Sequence, residues 1–161
     1  MKDVMVYDEA HYFGIPNSQG TTEIVLGGVI TEMTESSNPT EQEKQYIHQK
    51  EKTTKITGYS NEFKITMDMV KGDEVNDDFY NLFYLRKTGN ELLRDHYIVN
   101  LWEEIEGKQN EFKCRKITQT VSIEEANGGA GEQKQITGSL KGGQFSYGTF
   151  NTSTKAFTPD A

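Results

Sequence analysis

Arg115-Lys116-Ile117-Thr118-Gln119-Thr120-Val121-Ser122-Ile123-Glu124 is an alternating run. Ile117, Val121 and Ile123 fall on one parity, and Lys116, Thr118, Thr120, Ser122 and Glu124 fall on the other. Side chains along a strand point to opposite faces with a period of two, so this is a strand with one apolar and one polar face. A glycine corner follows, Gly128-Gly129-Ala130-Gly131. A second run from Gln133 to Lys141 then sets Ile136, Gly138 and Leu140 against Gln135, Thr137, Ser139 and Lys141. After Gly142-Gly143 the chain ends in an aromatic and threonine-rich tail containing Phe145, Tyr147, Phe150, Phe157 and Thr158. Two long ribbons, each with a complete polar face and no catalytic group on it, describe a surface and not a pocket.

Upstream, Glu62 to Met69 alternates most cleanly. Phe63, Ile65, Met67 and Met69 point inward, and Lys64, Thr66 and Asp68 point outward. Thr53 to Tyr59 also reads as a strand. Residues 23–31 are apolar on both faces, which predicts a central strand, and the paired Gly27-Gly28 predicts a bulge, a curl or a close backbone approach. Residues 94–105 and 111–125 form a hairpin around Gly107-Lys108-Gln109-Asn110.

One helix is expected over about 74–88. Asp73 is its N-cap, Asp77 and Asp78 lie near the positive end of its dipole, and Val75, Phe79, Leu82 and Phe83 form an apolar stripe. Arg86 and Lys87 occupy the expected last turn, with Gly89 as the terminator. Tyr80, Tyr84 and Leu85 widen the apolar surface enough to want cover on a second side, as from another subunit. Strands, one helix and strands again, with no βα alternation, predict a mainly β fold: a β-sandwich or barrel with one flanking α-helix.

Two segments stand outside this pattern. Residues 1–22 carry Gly14, Pro16, Asn17, Ser18 and Gly20 and read as an N-terminal arm with little structure of its own. Residues 32–52 read as a long polar loop whose only bulky apolar residues are Tyr46 and Ile47. A loop of about twenty residues in a compact domain tends to be functional or ordered by a partner. Glu41, Glu43, Lys44, Tyr46, Ile47 and His48 are therefore the candidate inter-subunit contacts. The expected organisation is the arm at 1–22, a single β domain at 23–158 and a short C-terminal end at 159–161.

The 161 residues carry 17 Lys and Arg against 25 Asp and Glu, a net charge of -8 with a pI near 4.9. Phosphate neutralisation drives tight nucleic-acid binding, and this chain lacks the basic patch it needs. Passing close to DNA without sticking is a different requirement and is compatible with the charge. One cysteine, Cys114, excludes a disulfide framework and a thiolate metal site. Met1 to Glu9 has no long apolar run, so neither a signal peptide nor a membrane anchor is expected, and folding in a reducing cytoplasm is.

No constellation for catalysis converges. His11, His48 and His96 lack i, i+4 partners and read as solvated or capping residues. Asp73 to Asp78 lacks the glycine and glutamate of a calcium loop. The 128–131 glycines precede no Lys-Ser/Thr helix, so they read as a turn. The residues predict no enzyme, no cofactor and no metal.

The order and spacing of several motifs carry a family resemblance over roughly residues 23–158. They are Gly27-Gly28-Val29-Ile30, Asn38-Pro39, Glu43-Lys44-Gln45-Tyr46-Ile47 and Thr54-Lys55-Ile56-Thr57-Gly58-Tyr59. Val75-Asn76-Asp77, Arg86-Lys87-Thr88-Gly89, Gly138-Ser139-Leu140-Lys141-Gly142, Gly148-Thr149-Phe150-Asn151 and Phe157-Thr158 complete the set. In these the chain resembles the major tail protein (tail tube protein) of long-tailed bacteriophages, particularly those infecting Gram-positive hosts.

The resemblance implies a homo-hexameric ring that stacks into a hollow tube, with strands from all subunits joined into a luminal β-barrel through which DNA leaves the capsid. It implies a place in the virion tail after assembly in the host cytoplasm. Implied partners are a tape measure protein inside the tube before ejection, a tail terminator, and baseplate or tip proteins, with transient non-specific contact to double-stranded DNA. The lumen-facing candidates are the polar parities: Lys64, Thr66 and Asp68; Lys116, Thr118, Thr120, Ser122 and Glu124; Thr137 and Ser139. A type VI-like secretion tube and a carbohydrate-binding β-sandwich of a tail tip or baseplate are the alternatives. Deletion of residues 36–50 is expected to block polymerisation and leave a folded monomer.

Overall fold

The computed structural model describes residues 1–160. The strands are β1 (Glu9–Pro16), β2 (Thr22–Leu26), β3 (Ile30–Ser36), β4 (Pro39–Lys44), β5 (Thr53–Tyr59) and β6 (Glu62–Asp68). After the helix α1 (Glu74–Tyr84) come β7 (Leu93–Glu104), β8 (Glu111–Asn127), β9 (Gln135–Lys141), β10 (Ser146–Asn151) and β11 (Ala156–Pro159). The main sheet is antiparallel, in the order β2-β1-β7-β8-β9-β6-β3. The β10–β11 hairpin pairs with the first half of β8, while β9 pairs with its second half. The fold is mainly β with a single flanking helix, as the alternating runs predict.

The two ends of that sheet, β2 and β3, are consecutive in the chain. Only residues 27–29 separate Leu26 from Ile30, a span of at most about 14 Å. The sheet must therefore curl until its edges nearly meet, yet β2 and β3 do not pair, and the barrel stays open. The expected central strand at 23–31 is thus two edge strands. The glycine pair makes the turn between them, because a Cβ on Gly27 would lie 2.7 Å from Ile30 and 3.0 Å from Phe13.

The concave face holds the main core. Phe13 and Ile15 (β1), Phe63, Ile65 and Met67 (β6), Ile98 (β7), Ile117 and Val121 (β8), and Ile136 and Leu140 (β9) meet Val75, Phe79 and Leu82 of α1. The expected parities of β6 and β9 are those observed, and that of β8 holds as far as Ile123. Gly138 leaves room on β9 for its neighbour, since a Cβ there would lie 2.3 Å from the Ser122 carbonyl oxygen. A second cluster occupies the opposite face, where Tyr12, Tyr97, Val99, Cys114 and Phe150 pack together.

The arm reading of residues 1–22 does not hold beyond residue 8. Residues 9–16 form β1, bonded to β2 on one side and β7 on the other, and Phe13 is fully buried between Phe79 and His96. The polar excursion at 32–52 is not a loop either. It contains β4, which pairs with β5 as a separate two-stranded ribbon. The 23–158 boundary likewise cuts through β11, which runs to Pro159, and Ala161 lies outside the described residues.

Asp73 caps α1 as expected, its side chain accepting from the Asn76 amide at 2.9 Å. Buried Asn76 ties the cap to the end of β6, accepting from the Val70 amide and donating to the Asp68 carbonyl. The helix stops earlier than expected, at Tyr84. Arg86 takes the left-handed conformation (φ 51°) that Gly89 was expected to supply. The Arg86 and Lys87 amides donate back to Phe83 and Leu82, closing the helix end. Asp78 does more than sit near the helix dipole. It takes a two-pronged bond from Arg94 of β7 at 2.8 and 3.1 Å, with both side chains largely buried. Removing one partner of such a pair strands the other charge, so Asp78→Ala is expected to cost about 3 kcal/mol in urea unfolding. A cost below about 1 kcal/mol would show that water replaces the carboxylate.

Candidate assembly surfaces

The β4–β5 ribbon stands in solvent. Every residue of both strands is exposed except Gly58, which is half-buried, so the ribbon has no core of its own. An isolated two-stranded ribbon is marginally stable in water at best. Its tip is nevertheless well defined. The Gln49 side chain accepts from the Tyr46 amide at 3.2 Å, and Gln45 donates to the Gln49 carbonyl at 3.1 Å. Lys44 lies over the Tyr46 ring, which stacks on His48. Glu43 pairs with Lys52 at 3.7 Å, and Glu41 faces Ile56 across the ribbon. This arrangement pushes Ile47 completely into solvent (105% exposed), with Tyr46, Ile56 and Tyr59 also exposed. The six sequence candidates therefore share one projecting element.

The polar parities of β6, β9 and β8 form one continuous outer face. Lys64 faces Ser139, which faces Ser122; Thr66 faces Thr137; Asp68 faces Gln135 and accepts its amide hydrogen bond at 2.9 Å. Thr120 lies opposite Lys141 at the border of this face. The remaining candidates depart from it. Ser139 is only 4% exposed and forms the floor of the face. Thr118 donates to Asp95 of β7 at 2.6 Å, and Lys116 lies over the Tyr97 ring, 3.9 Å from Asp95. Glu124 falls at a bulge, so Glu125 takes the place opposite Thr137. The exposed charges of the face are thus Lys64 and Glu125, with Lys141 at its border.

A groove of about 790 Å³ lies where the two sheet edges approach. Val4, Met5, Val6, Tyr7, Leu26, Ile30, Met33 and Trp102 supply its apolar walls, and Glu9, His11 and Glu32 its polar ones. The sole tryptophan is therefore half-buried in a groove and not set on a flat aromatic platform.

His11 and His96 are neither solvated nor caps. They are bonded to each other at 2.9 Å, and His96 is fully buried, stacked on Phe13 and edge-on to Phe63. Glu9 lies 3.1 Å from His11, and Gln119 3.3 Å from His96. Burial, and then the neighbouring His11, push His96 well below the usual histidine range. The hydrogen bond from His11 holds Glu9 below the usual carboxylate range. Below pH 6.5 the unfolded chain takes up a proton at residue 96 that the folded chain refuses. Stability is therefore expected to fall as the pH drops from 6.5, by at most about 1.4 kcal/mol per unit, with Glu9 adding to the loss below pH 4.5. Urea midpoints at pH 7 and pH 5 measure this, and His96→Gln should flatten the slope between them.

Cys114 is buried in the second cluster, and burial lifts its thiol to about 12. Among the described residues no three His, Cys, Asp or Glu side chains are placed to hold a metal ion, and no helix is long and apolar enough to cross a membrane.

No protein-family model matches the chain, and no curated protein matches it in sequence. Solved structures match it in fold. The SPP1 tail tube, from a hybrid of solid-state NMR and electron cryo-microscopy, superposes with a TM-score of 0.69 at 12% identity, covering 90% of this chain and 78% of that one. The tail of an empty GTA particle, refined with C6 symmetry, gives 0.58 at 8% identity, covering 99% of this chain and 100% of that one. The six-fold symmetrised baseplate of the anti-feeding prophage gives 0.53 at 6% identity, covering 91% and 96%. At these identities the likeness is one of fold, and that fold is the phage tail tube's.

Proposed function

We propose that this chain is a non-enzymatic structural protein of a phage tail, forming hexameric rings that stack into a hollow tube through which DNA is ejected. One observation carries the reading: the sheet is curled into a barrel yet left open, with β2 and β3 both free. Free edges invite strand pairing with other chains, and a monomeric protein normally blunts or covers them. A ring in which each subunit's edge meets a different edge of the next uses them all and closes by rotation. The shared fold with the SPP1 tube and with a C6-symmetric tail supports six as the number. The β4–β5 ribbon then reaches the next subunit or the next ring.

In this reading the β6–β9–β8 polar face lines the lumen. Its hydroxyls and mixed charges offer DNA no continuous cationic track, and the net charge of -8 adds weak repulsion that salt would screen. Glu125→Lys is the cleanest probe, because Glu125 stands opposite Thr137 while Asp68 is engaged with Gln135. It should leave assembly intact and slow DNA release; unchanged ejection removes this face from the lumen. The tape measure, terminator and baseplate partners follow from the same reading, as does the virion as the site of action.

Negative-stain electron microscopy across a concentration series tests the function. Stacked hollow rings of six support it, and a monomer at every concentration, even with tail-tip extract as initiator, rejects it. The baseplate likeness favours a second reading, in which the ring starts a tube and does not repeat along it. Single rings that never stack would select that reading.

A further inference from the structure

The hydrogen bonds around the buried histidines have fixed directions. The Gln119 amide nitrogen donates to the Leu140 and Gly142 carbonyls at 3.2 and 3.3 Å, so its oxygen is the atom facing His96 Nδ1. A carbonyl oxygen only accepts, so His96 carries its proton on Nδ1 and presents a lone pair at Nε2. His11 Nδ1, 2.9 Å from that lone pair, must therefore be a donor. The other ring nitrogen of His11 lies 3.1 Å from a Glu9 carboxylate oxygen. A lone pair there would face an anion, and a proton there makes a charge-assisted bond.

We infer that His11 is held as an imidazolium between the Glu9 carboxylate and a neutral His96, and that this one proton latches β1 onto the sheet. Two backbone carbonyls of the β9 region set the direction of every bond in the chain, ending at Glu9. Loss of the proton leaves a ring lone pair facing either the Glu9 carboxylate or the lone pair on His96 Nε2, and one bond of the chain is lost. β1 then loosens as the pH rises, together with β2, which is held in the sheet through β1.

The groups facing the latch come from four elements. Glu9 shares β1 with His11, and His96 comes from β7. Arg115 of β8 acts on both Glu9 and His96 and is itself held by Glu35 of β3 at 2.8 and 2.9 Å. Glu32 of β3 and Tyr7 line the same groove as Glu9 and His11. Along β7 the charges next to His96 are engaged elsewhere, Arg94 with Asp78 and Asp95 with Thr118 and Lys116. This device is independent of whether the chain forms rings.

Nitrogen NMR of the histidine rings at pH 7 tests it directly on the wild-type chain. Both nitrogens of His11 should be protonated, and His96 only at Nδ1; a lone pair on His11, or a proton on His96 Nε2, overturns the inference. Amide exchange gives the second readout. After correction for the intrinsic rate, protection of residues 9–16 should fall as the pH rises and the latch proton is lost, while β6 and β9 hold theirs. Glu9→Gln removes the anion beside the His11 ring and should bring that loss on at lower pH. Protection of residues 9–16 that does not change with pH, or a loss that Glu9→Gln leaves in place, overturns the latch.

Discussion

Excising residues 38–59 leaves a folded monomer that no longer forms tubes. The cut is clean because the Ser60 amide donates to the Ser37 carbonyl at 2.9 Å, so a short glycine link can rejoin the ends. Nothing in the ribbon contributes to either core cluster, and thermal stability should be unchanged. A deletion of 36–50 is a poorer test. It takes the end of β3 and all of β4, and strands β5 without its partner. The expected loss of assembly is large. Tyr46 and Ile47 are the apolar groups at the tip, and burying each is worth about 1.5 kcal/mol or more. Together they correspond to roughly a hundredfold in the concentration needed to assemble. Sedimentation and microscopy of the excised chain decide the matter, and tubes at the wild-type concentration would show the ribbon to be an ornament of the outer surface.

Phe13→Ala should cost about 4 kcal/mol, the range for emptying a buried phenylalanine site. That is a large share of the 5–15 kcal/mol typical of a whole domain. Phe13 is 0% exposed, edge-on to Phe79 at 5.2 Å and stacked on His96 at 4.6 Å, so it joins β1, the helix and β7 in one contact set. Tyr7→Ala, six residues earlier on a 75% exposed side chain, should cost almost nothing. Urea unfolding of the two variants locates where a free N-terminal segment ends and the fold begins. Equal, small losses would restore the arm reading for all of residues 1–22.

That misreading has a physical source. The concave parity of β1 is Glu9, His11, Phe13 and Ile15, half of it polar, so the apolar signal is cut to two residues and then interrupted by Pro16 and Asn17. The partner that satisfies His11 lies 85 residues away, and no local spacing announces it. The β4–β5 ribbon was hidden for a different reason. It buries neither face, so it has no alternation to read. By contrast β6, β8 and β9 each bury one face fully, and there the two-residue period is unmistakable. The helix showed through its stripe and its Asp73 cap, whereas its end did not, because Arg86 adopts a conformation that sequence reasoning reserves for glycine. Among the candidate surface residues, the polar parity was legible. The bulge after Ile123 and the burial of Ser139 depend on cross-strand register, which a single strand's sequence does not contain.

The position of Cys114 makes this chain its own stopwatch. With no other thiol in the sequence, and this one enclosed by Tyr12, Tyr97, Val99 and Phe150, an alkylating reagent finds its target only when the second cluster parts. A buried, protonated thiol is chemically inert. The half-time of labelling therefore counts openings of the β1–β7–β8–β10 face directly. Any event that locks this face should stretch that half-time without a single residue being changed.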